Sequence, residues 1–529
     1  MTRLIAAPLC FLAVALPFLF GYTDSPISNF WPLLTAWVCG AVLLAVGAWA
    51  AWGGVPTCSQ ASDAERWARV LAGGLILAAV VASAIGLVQY WAGDVGLRPW
   101  IHASQPGQAA GNLRQRNQQA TLLALGAWAL LWWTLHGQPQ AQQWMRTATG
   151  GSVARRGRPG LLGKVLAAIG VVIALVAVAV AGSATASRTG AVQWLVIVGL
   201  LVVWRRTGAG PALRLALVGV AVFFVAAWVL PELLWRLQGV RTDALFHRFT
   251  DGSPACTSRL ALWSNMLTLI AQKPWLGWGW GELDYAHYVT LFPGDRFCVL
   301  LDNAHNLPLH LAVELGLPAA GLLCGAFVLW VLLSRPWHEA RPERQLAWGV
   351  LALIGLHSML EYPLWYGPFQ IVALFALVLL VWPQWPRRTA AVVLGGGAVL
   401  VWCICGLAAW DYFRVSQLYK ANADRSAAYR DDAQSKVTRS VLFTDQLNFA
   451  RLTTTSLTRE NAAYLNALGK DLLHYSPEPR VIQVVIESAV MLGKDDEAAV
   501  HMKRYRIAYP KDYARWMGPA GGKASAEAR

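Results

Sequence analysis

Residues 302–333 read DNAHNLPLHLAVELGLPAAGLLCGAFVLWVLL, a polar, histidine-bearing stretch that runs straight into an apolar segment. Apolar runs of this kind recur along the chain, and about 17–25 residues are enough for a helix to cross a bilayer. The 529 residues are 56% apolar and only 14% charged, against roughly 25% charged in a soluble protein. The pattern predicts an all-α polytopic membrane protein with about eleven transmembrane helices, near 4–20, 32–52, 70–91, 120–136, 162–182, 190–204, 213–230, 312–333, 346–364, 368–383 and 390–410. The first run, Leu4–Phe20, has the apolar character of a signal peptide. It lacks a small-x-small cleavage pattern followed by a soluble domain, and another span follows at once, so it reads as the first span.

Short loops rich in Lys and Arg mark the cytoplasmic side. Arg146, Arg155, Arg156, Arg158 and Lys164 lie in one such loop. Alternate loops carry Arg205, Arg206 and Arg214, then Arg335, Arg341 and Arg344, then Arg387 and Arg388. The same parity places residues 92–119, the turn at 183–189, the long loop 231–311 and the tail from 411 on the exported side. Arg114, Arg116, Arg188, Arg236, Arg241, Arg248 and Arg259 therefore run against the charge rule and call for a local reason. The domain reading is a membrane domain over 1–410, including the loop 231–311, and a soluble helical tail over 411–529.

The net charge of +15 does not point to nucleic acid, because much of it sits in short loops between spans. Of the eight cysteines, none shows metal-ligand spacing. Six lie in or beside apolar segments; Cys256 and Cys298 lie in the large loop, where the oxidising exported side permits a disulfide and two free thiols are the alternative. In the tail, Arg480–Met491 and Asp495–Tyr509 have the pattern of amphipathic helices joined by short turns. The run Gly493–Ala499 with Tyr509-Pro510 is similar to one tetratricopeptide hairpin, where that fold needs several. A protein-contact domain and a plain stabilising cap both fit. Residues beyond about 518 have a disordered composition.

Five stretches carry chemistry. Gly111–Ala120, with Arg114, Gln115, Arg116, Asn117 and Gln118, gathers amides and guanidinium groups at the start of a span. Such groups suit sugar hydroxyls and phosphate oxygens, or else cap a helix and anchor it at the interface. Ser183–Gly190 places Arg188 beside hydroxyls at a helix start, the makings of an anion site, or of an arginine snorkelling to headgroups. Arg248–Tyr288 holds Ser258-Arg259 and the run Lys273–Gly281, whose tryptophans fit a membrane-interface belt or a sugar-stacking wall. In the stretch from Asp302, an imidazole such as His305 can take a proton from an attacking hydroxyl; it has Asn303 and Asn306 for company, while His310 and Glu314 share one helix face. His357–Tyr366 ends a span on the same side, with His357, Glu361, Tyr362 and the helix-ending Pro363; a polar helix end with an aromatic belt is the alternative.

These stretches, in this order over roughly residues 1–410, resemble the bacterial O-antigen ligase and polymerase superfamily, and most closely its pilin glycosylation ligases, the PglL-type protein O-oligosaccharyltransferases. Gly111–Ala120 looks like the amino-terminal signature of that subgroup, though Arg114 and Arg116 make it more basic than the usual form. Ser187-Arg188-Thr189, Ser258-Arg259, Pro274-x-x-Gly277-x-Gly279, His305-Asn306 with Glu314 and Gly316, and His357–Tyr366 look like the shared motifs. The resemblance implies transfer of an oligosaccharide from undecaprenyl pyrophosphate to Ser or Thr hydroxyls of a pilin-like acceptor protein, on the periplasmic side of the bacterial inner membrane. It implies His305 as base, with Glu361 and Tyr362 positioning base or acceptor. Arg188 and Arg259 would bind the pyrophosphate, and Arg116, Gln115, Asn117, Gln118, Asn306 and His357 would complete the donor site. Neither cofactor nor metal is expected, since the exported side carries no Asp-x-Asp or paired-carboxylate motif and arginines can take a metal's role.

Two enzyme alternatives share this site and differ in acceptor: a ligase to lipid A core and a glycan polymerase. A transporter of lipid-linked sugar would want ionisable groups near mid-membrane and repeated halves, whereas here the polar groups gather on one side.

Overall fold

The computed structural model describes residues 2–54, 63–136, 161–242, 245, 255–381 and 385–518. Arg146, Arg155, Arg156, Arg158 and Arg248, with the tail beyond 518, lie outside the described residues. The helices are α1 Thr2–Leu19, α2 Phe30–Trp49, α3 Asp63–Ala92, α4 Arg116–His136, α5 Leu161–Ala184, α6 Arg188–Val203 and α7 Gly210–Gln238. They continue as α8 Arg259–Gln272, α9 Leu283–Val289, α10 Leu307–Ser334, α11 Pro342–Ser358, α12 Gly367–Val381 and α13 Arg387–Ser416. The tail holds α14 Thr444–Thr454, α15 Ala462–Tyr475, α16 Pro479–Met491, α17 Asp495–Ala508 and α18 Pro510–Met517. No strand occurs among the described residues.

The protein is an all-α, multi-pass membrane protein. Each expected span is occupied by a helix, because a backbone in lipid must satisfy its own hydrogen bonds. Among the described residues six helices are long and apolar enough to cross a membrane, and α1, α6 and α12 contribute shorter apolar stretches. Several boundaries differ from the sequence reading: α3 begins earlier, at Asp63, α11 stops at Ser358 instead of near 364, α13 runs on to Ser416, and α7 runs on through Pro231 to Gln238, so the long loop begins with two further helical turns.

Two compact units emerge, one of residues Met1–Asp251 with Val331–Gly406, the other of Gly252–Trp330 with Leu407–Arg529. In the first, α4 is the centre. Every residue from Gln118 to Trp132 is buried, and the helix packs against α3, α5, α6 and α11. A helix apolar all round belongs inside a bundle, so the polar stretch leading into α4 opens onto the middle of this unit.

In the second unit, the helices of the tail each pack on the next, α14 through α18. Gly493, at φ +70°, makes the turn between α16 and α17. Their core is Leu465, Leu472, Val481, Ile482, Val485, Ile486 and Tyr505, and Tyr288 of α9 joins it, its hydroxyl 3.0 Å from His501 Nδ1. Asp411 ties α13 to the tail. Its buried carboxylate accepts from Ser440 Oγ and from the amides of Val441 and Leu442, each at 2.8 Å.

Candidate active site

Among the described residues three helices begin with one of the arginines that run against the charge rule, as α13 begins with Arg387 of a loop that obeys it. Arg116 is the first residue of α4, Arg188 of α6 and Arg259 of α8. Each follows a residue whose side chain caps the helix. Gln115 Oε1 accepts from the Gln118 amide at 2.7 Å, Ser187 Oγ from Gly190 at 3.2 Å and Ser258 Oγ from Ala261 at 3.1 Å. A cation at a helix start opposes the macrodipole, at about 0.3–1 kcal/mol. Guanidinium and helix end present charge of the same sign, and an anion relieves both. Arg188 is exposed and Arg116 half-buried in the first unit; Arg259 is half-buried in the second.

Within the first unit a hydrogen-bonded chain joins three of the candidate stretches. Ser187 Oγ donates to Asn117 Oδ1 at 2.7 Å, and Asn117 Nδ2 donates to Glu361 Oε1 at 2.9 Å. The Glu361 carboxylate is buried. Asn117 thus links the cap that precedes Arg188 to the carboxylate beyond α11. A second buried group lies one turn deeper: His357 Nδ1 is 2.8 Å from Thr121 Oγ1, which also bonds the Gln193 amide, and Gln193 Nε2 donates to Leu353 O at 3.1 Å. Gln118 is fully buried, and neither atom of its side-chain amide finds a partner among the described residues. Tyr362, half-buried, has its ring centroid 6.2 Å from that of Tyr366.

In the second unit His305 sits in a tight turn. Asn303 Oδ1 accepts its amide at 2.8 Å, and Asn306 Oδ1 caps α10 by accepting from Leu309 at 3.1 Å. His305 has φ +50°, as Arg114 (+62°) and Ala186 (+49°) have positive φ in their own stretches. A non-glycine residue there costs about 1–2 kcal/mol, and such strain gathers at functional sites. His310 and Glu314, one turn apart and both buried, meet at 3.4 Å. Cys256 and Cys298 are bonded, with Cα atoms 5.3 Å apart.

The sequence reading missed two features. Thr121 and Gln193, polar residues inside apolar spans, were a readable signal. Asp284, His287 and Arg296 were not, because they converge from a short helix and a loop. Arg296 Nη1 donates to His287 O at 2.6 Å and Nη2 lies 3.1 Å from His287 Nδ1. Burial pushes the Asp284 carboxyl up to about 8. Burial, with Arg296 beside it, pushes the His287 imidazole down to about 3. Among the described residues no three His, Cys, Asp or Glu side chains gather as a metal would require.

This is a multi-pass helical protein whose polar groups cluster at capped, arginine-led helix starts. Known proteins share stretches of its sequence. The family model for protein glycosylation ligases matches residues 109–134, that for O-antigen ligases residues 171–324, and that for the C-terminal part of virulence-factor membrane-bound polymerases residues 345–520. The general O-oligosaccharyltransferase of Acinetobacter baylyi is 30% identical over 211 residues, 36% of this chain and 37% of that protein. The ComP-specific O-oligosaccharyltransferase of the same organism is 27% identical over 152 residues, 28% of this chain and 27% of its own. The matches thus span well under half of these relatives. No solved structure matches the chain. By these partial matches the chain is similar to the O-antigen ligase family and to protein O-oligosaccharyltransferases.

Proposed function

We propose that the protein transfers an oligosaccharide en bloc from undecaprenyl pyrophosphate to a Ser or Thr hydroxyl of a periplasmic acceptor such as a pilin, at the outer face of the inner membrane, with about eleven helices crossing. The observation that carries this reading is the placement of Arg116, Arg188 and Arg259 at capped helix starts, within the stretches that match the glycosylation-ligase and O-antigen-ligase families. A pyrophosphate is the anion such groups favour, and it is the leaving group of this reaction. The names of the two Acinetobacter relatives agree with a protein acceptor.

The step balances simply. The acceptor hydroxyl oxygen attacks the anomeric carbon as its proton passes to the His305 imidazole. The carbon–oxygen bond to pyrophosphate breaks, and the released charge rests against Arg188 and Arg259 with Arg116. Charge-assisted contacts of this kind strengthen as the bond breaks. Direct attack inverts the anomeric centre. A general base contributes roughly 10²–10⁴ in rate. Glu361, held by Asn117, and Tyr362 position base or acceptor; Gln115, Gln118, Asn306 and His357 complete the donor site.

The match of residues 345–520 to a membrane-bound polymerase favours glycan elongation as the second reading; attachment to lipid A core is the third. Co-expression with a lipid-linked glycan pathway and a pilin acceptor tests the first. Intact-mass analysis should find the glycan on the pilin, and its absence with longer lipid-linked glycan present would establish the polymerase instead.

A further inference from the structure

Helix α8 is apolar on two sides. Its inner side, Leu262, Met266, Leu269 and Ile270, packs with α9 and α10. Leu260 and Leu267 on the outer side are 79% and 60% exposed, and they line up with exposed Ser264 and Ala271 as one stripe at helical spacing. Past the helix end the stripe continues in Trp275 and Leu276, 75% and 86% exposed. Ser264 is the polar member of this stripe, where a surface helix in water keeps its whole outer side polar; large apolar side chains exposed on one side mark an interaction face.

The occupant follows from where this stripe ends. The turn after α8 is bonded to the break in α10. Leu317 N donates to Pro274 O at 2.8 Å, Trp278 N to Val313 O at 2.9 Å and Gly279 N to Glu314 O at 3.0 Å. From that break onward α10 turns large apolar side chains outward, Leu317, Leu322, Leu323, Phe327 and Val328 all being at least half exposed. This is a membrane-crossing segment whose most apolar window is only 11% buried in protein. Trp275 and Leu276 therefore stand beside the first lipid-facing turn of a span. Lys273, with its ammonium 4.1 Å from the Trp278 ring centroid, gives the element the charged edge that such segments turn to headgroups.

We propose that α8 and the turn 273–281 form a monotopic membrane element, its Leu260–Leu267–Trp275–Leu276 stripe embedded in the leaflet that the N-terminal half of α10 enters. Amphipathic elements held this way lie in the interface plane. In combination with the donor-site reading above, on which this one clause rests, the element keeps Arg259 at headgroup level, where the pyrophosphate of a lipid-linked donor lies.

The test needs no activity. The full chain carries a photoreactive benzoylphenylalanine at Leu267, Trp275 or Leu276, and at Val500 of α17 as an exposed apolar control in the tail. Each variant is reconstituted in phosphatidylethanolamine–phosphatidylglycerol vesicles, illuminated and digested. The expected result is phospholipid adducts at 267, 275 and 276, several-fold above 500. Crosslinks from these positions to other parts of the chain, no excess over 500, or adducts of polyprenyl mass alone would each overturn the proposal. Because the readout is a lipid adduct, failure here leaves the glycosyl-transfer reading untouched, and failure of that reading leaves the adducts unchanged.

Discussion

Gly277→Ala should loosen the seat of the 273–281 turn far more than Gly281→Ala, although both glycines have positive φ, +69° and +79°. An added Cβ at Gly277 would lie 2.3 Å from Glu314 O and 2.4 Å from its carbonyl carbon, whereas at Gly281 it would meet nothing within 4 Å. Both variants incur the left-handed penalty, about 1 kcal/mol. At Gly277 the obstacle is backbone, so the two segments must separate. The bonds from Trp278, Gly279 and Leu317 across the contact are then weakened together, at about 1 kcal/mol net each. The difference between the variants is about 3 kcal/mol, or roughly 100-fold in a local opening equilibrium. Hydrogen exchange at the amides of Trp278, Gly279 and Leu317, read by mass spectrometry on the purified protein, measures it. Equal exchange in the two variants would refute the close approach of Gly277 to α10.

Other consequences follow from the same structure. His305→Ala should abolish transfer while a fluorescent lipid-linked donor still binds with nearly unchanged affinity; full turnover would remove His305 as the base. Burial holds the Asp284 carboxyl near 8 instead of its ordinary 3.8, so the folded state keeps its proton where the unfolded chain has lost it. Stability on this account is complete below the ordinary value and falls as pH rises towards 8. The buried histidines His287 and His501 act oppositely, below their ordinary 6.5. Between pH 6.5 and 8 the wild type should therefore lose about 1–2 kcal/mol in the second unit and Asp284→Asn should not, as followed by urea unfolding of the tail; parallel curves would contradict the buried carboxyl. The Cys256–Cys298 bond predicts that neither cysteine is alkylated without reductant in protein from an oxidising compartment, and peptide mapping that finds both modified would exclude the bond.

The helices of the membrane domain were legible because lipid demands long apolar runs, but their ends were not: α3 starts at Asp63, α11 stops at Ser358 and α7 continues past Leu230. The arginines stood out in the sequence as exceptions to the charge pattern expected of their loops. Their shared position at the first residue of a capped helix was not, since composition does not show where a helix starts. Gln115 reads from sequence as a ligand group; in the structure its side-chain oxygen caps α4. Asn117 likewise accepts from the Ser187 hydroxyl and donates to Glu361, the latter a link across 244 residues that no local pattern announces. The glycines of Lys273–Gly281 read as tight-turn positions, but what Gly277 fits against is Glu314, whose proximity depends on the break at Gly316. Pairing of distant backbone is a tertiary fact, and it is here that reading from sequence stops.

The most direct measurement is reconstituted transfer. Purified protein in detergent, with chelator present, receives undecaprenyl-pyrophosphate oligosaccharide and either a pilin-type acceptor or lipid A core. The account predicts glycan on Ser or Thr of the pilin and none on lipid A core. Glycan on lipid A core alone, or longer lipid-linked glycan with neither acceptor modified, would contradict it.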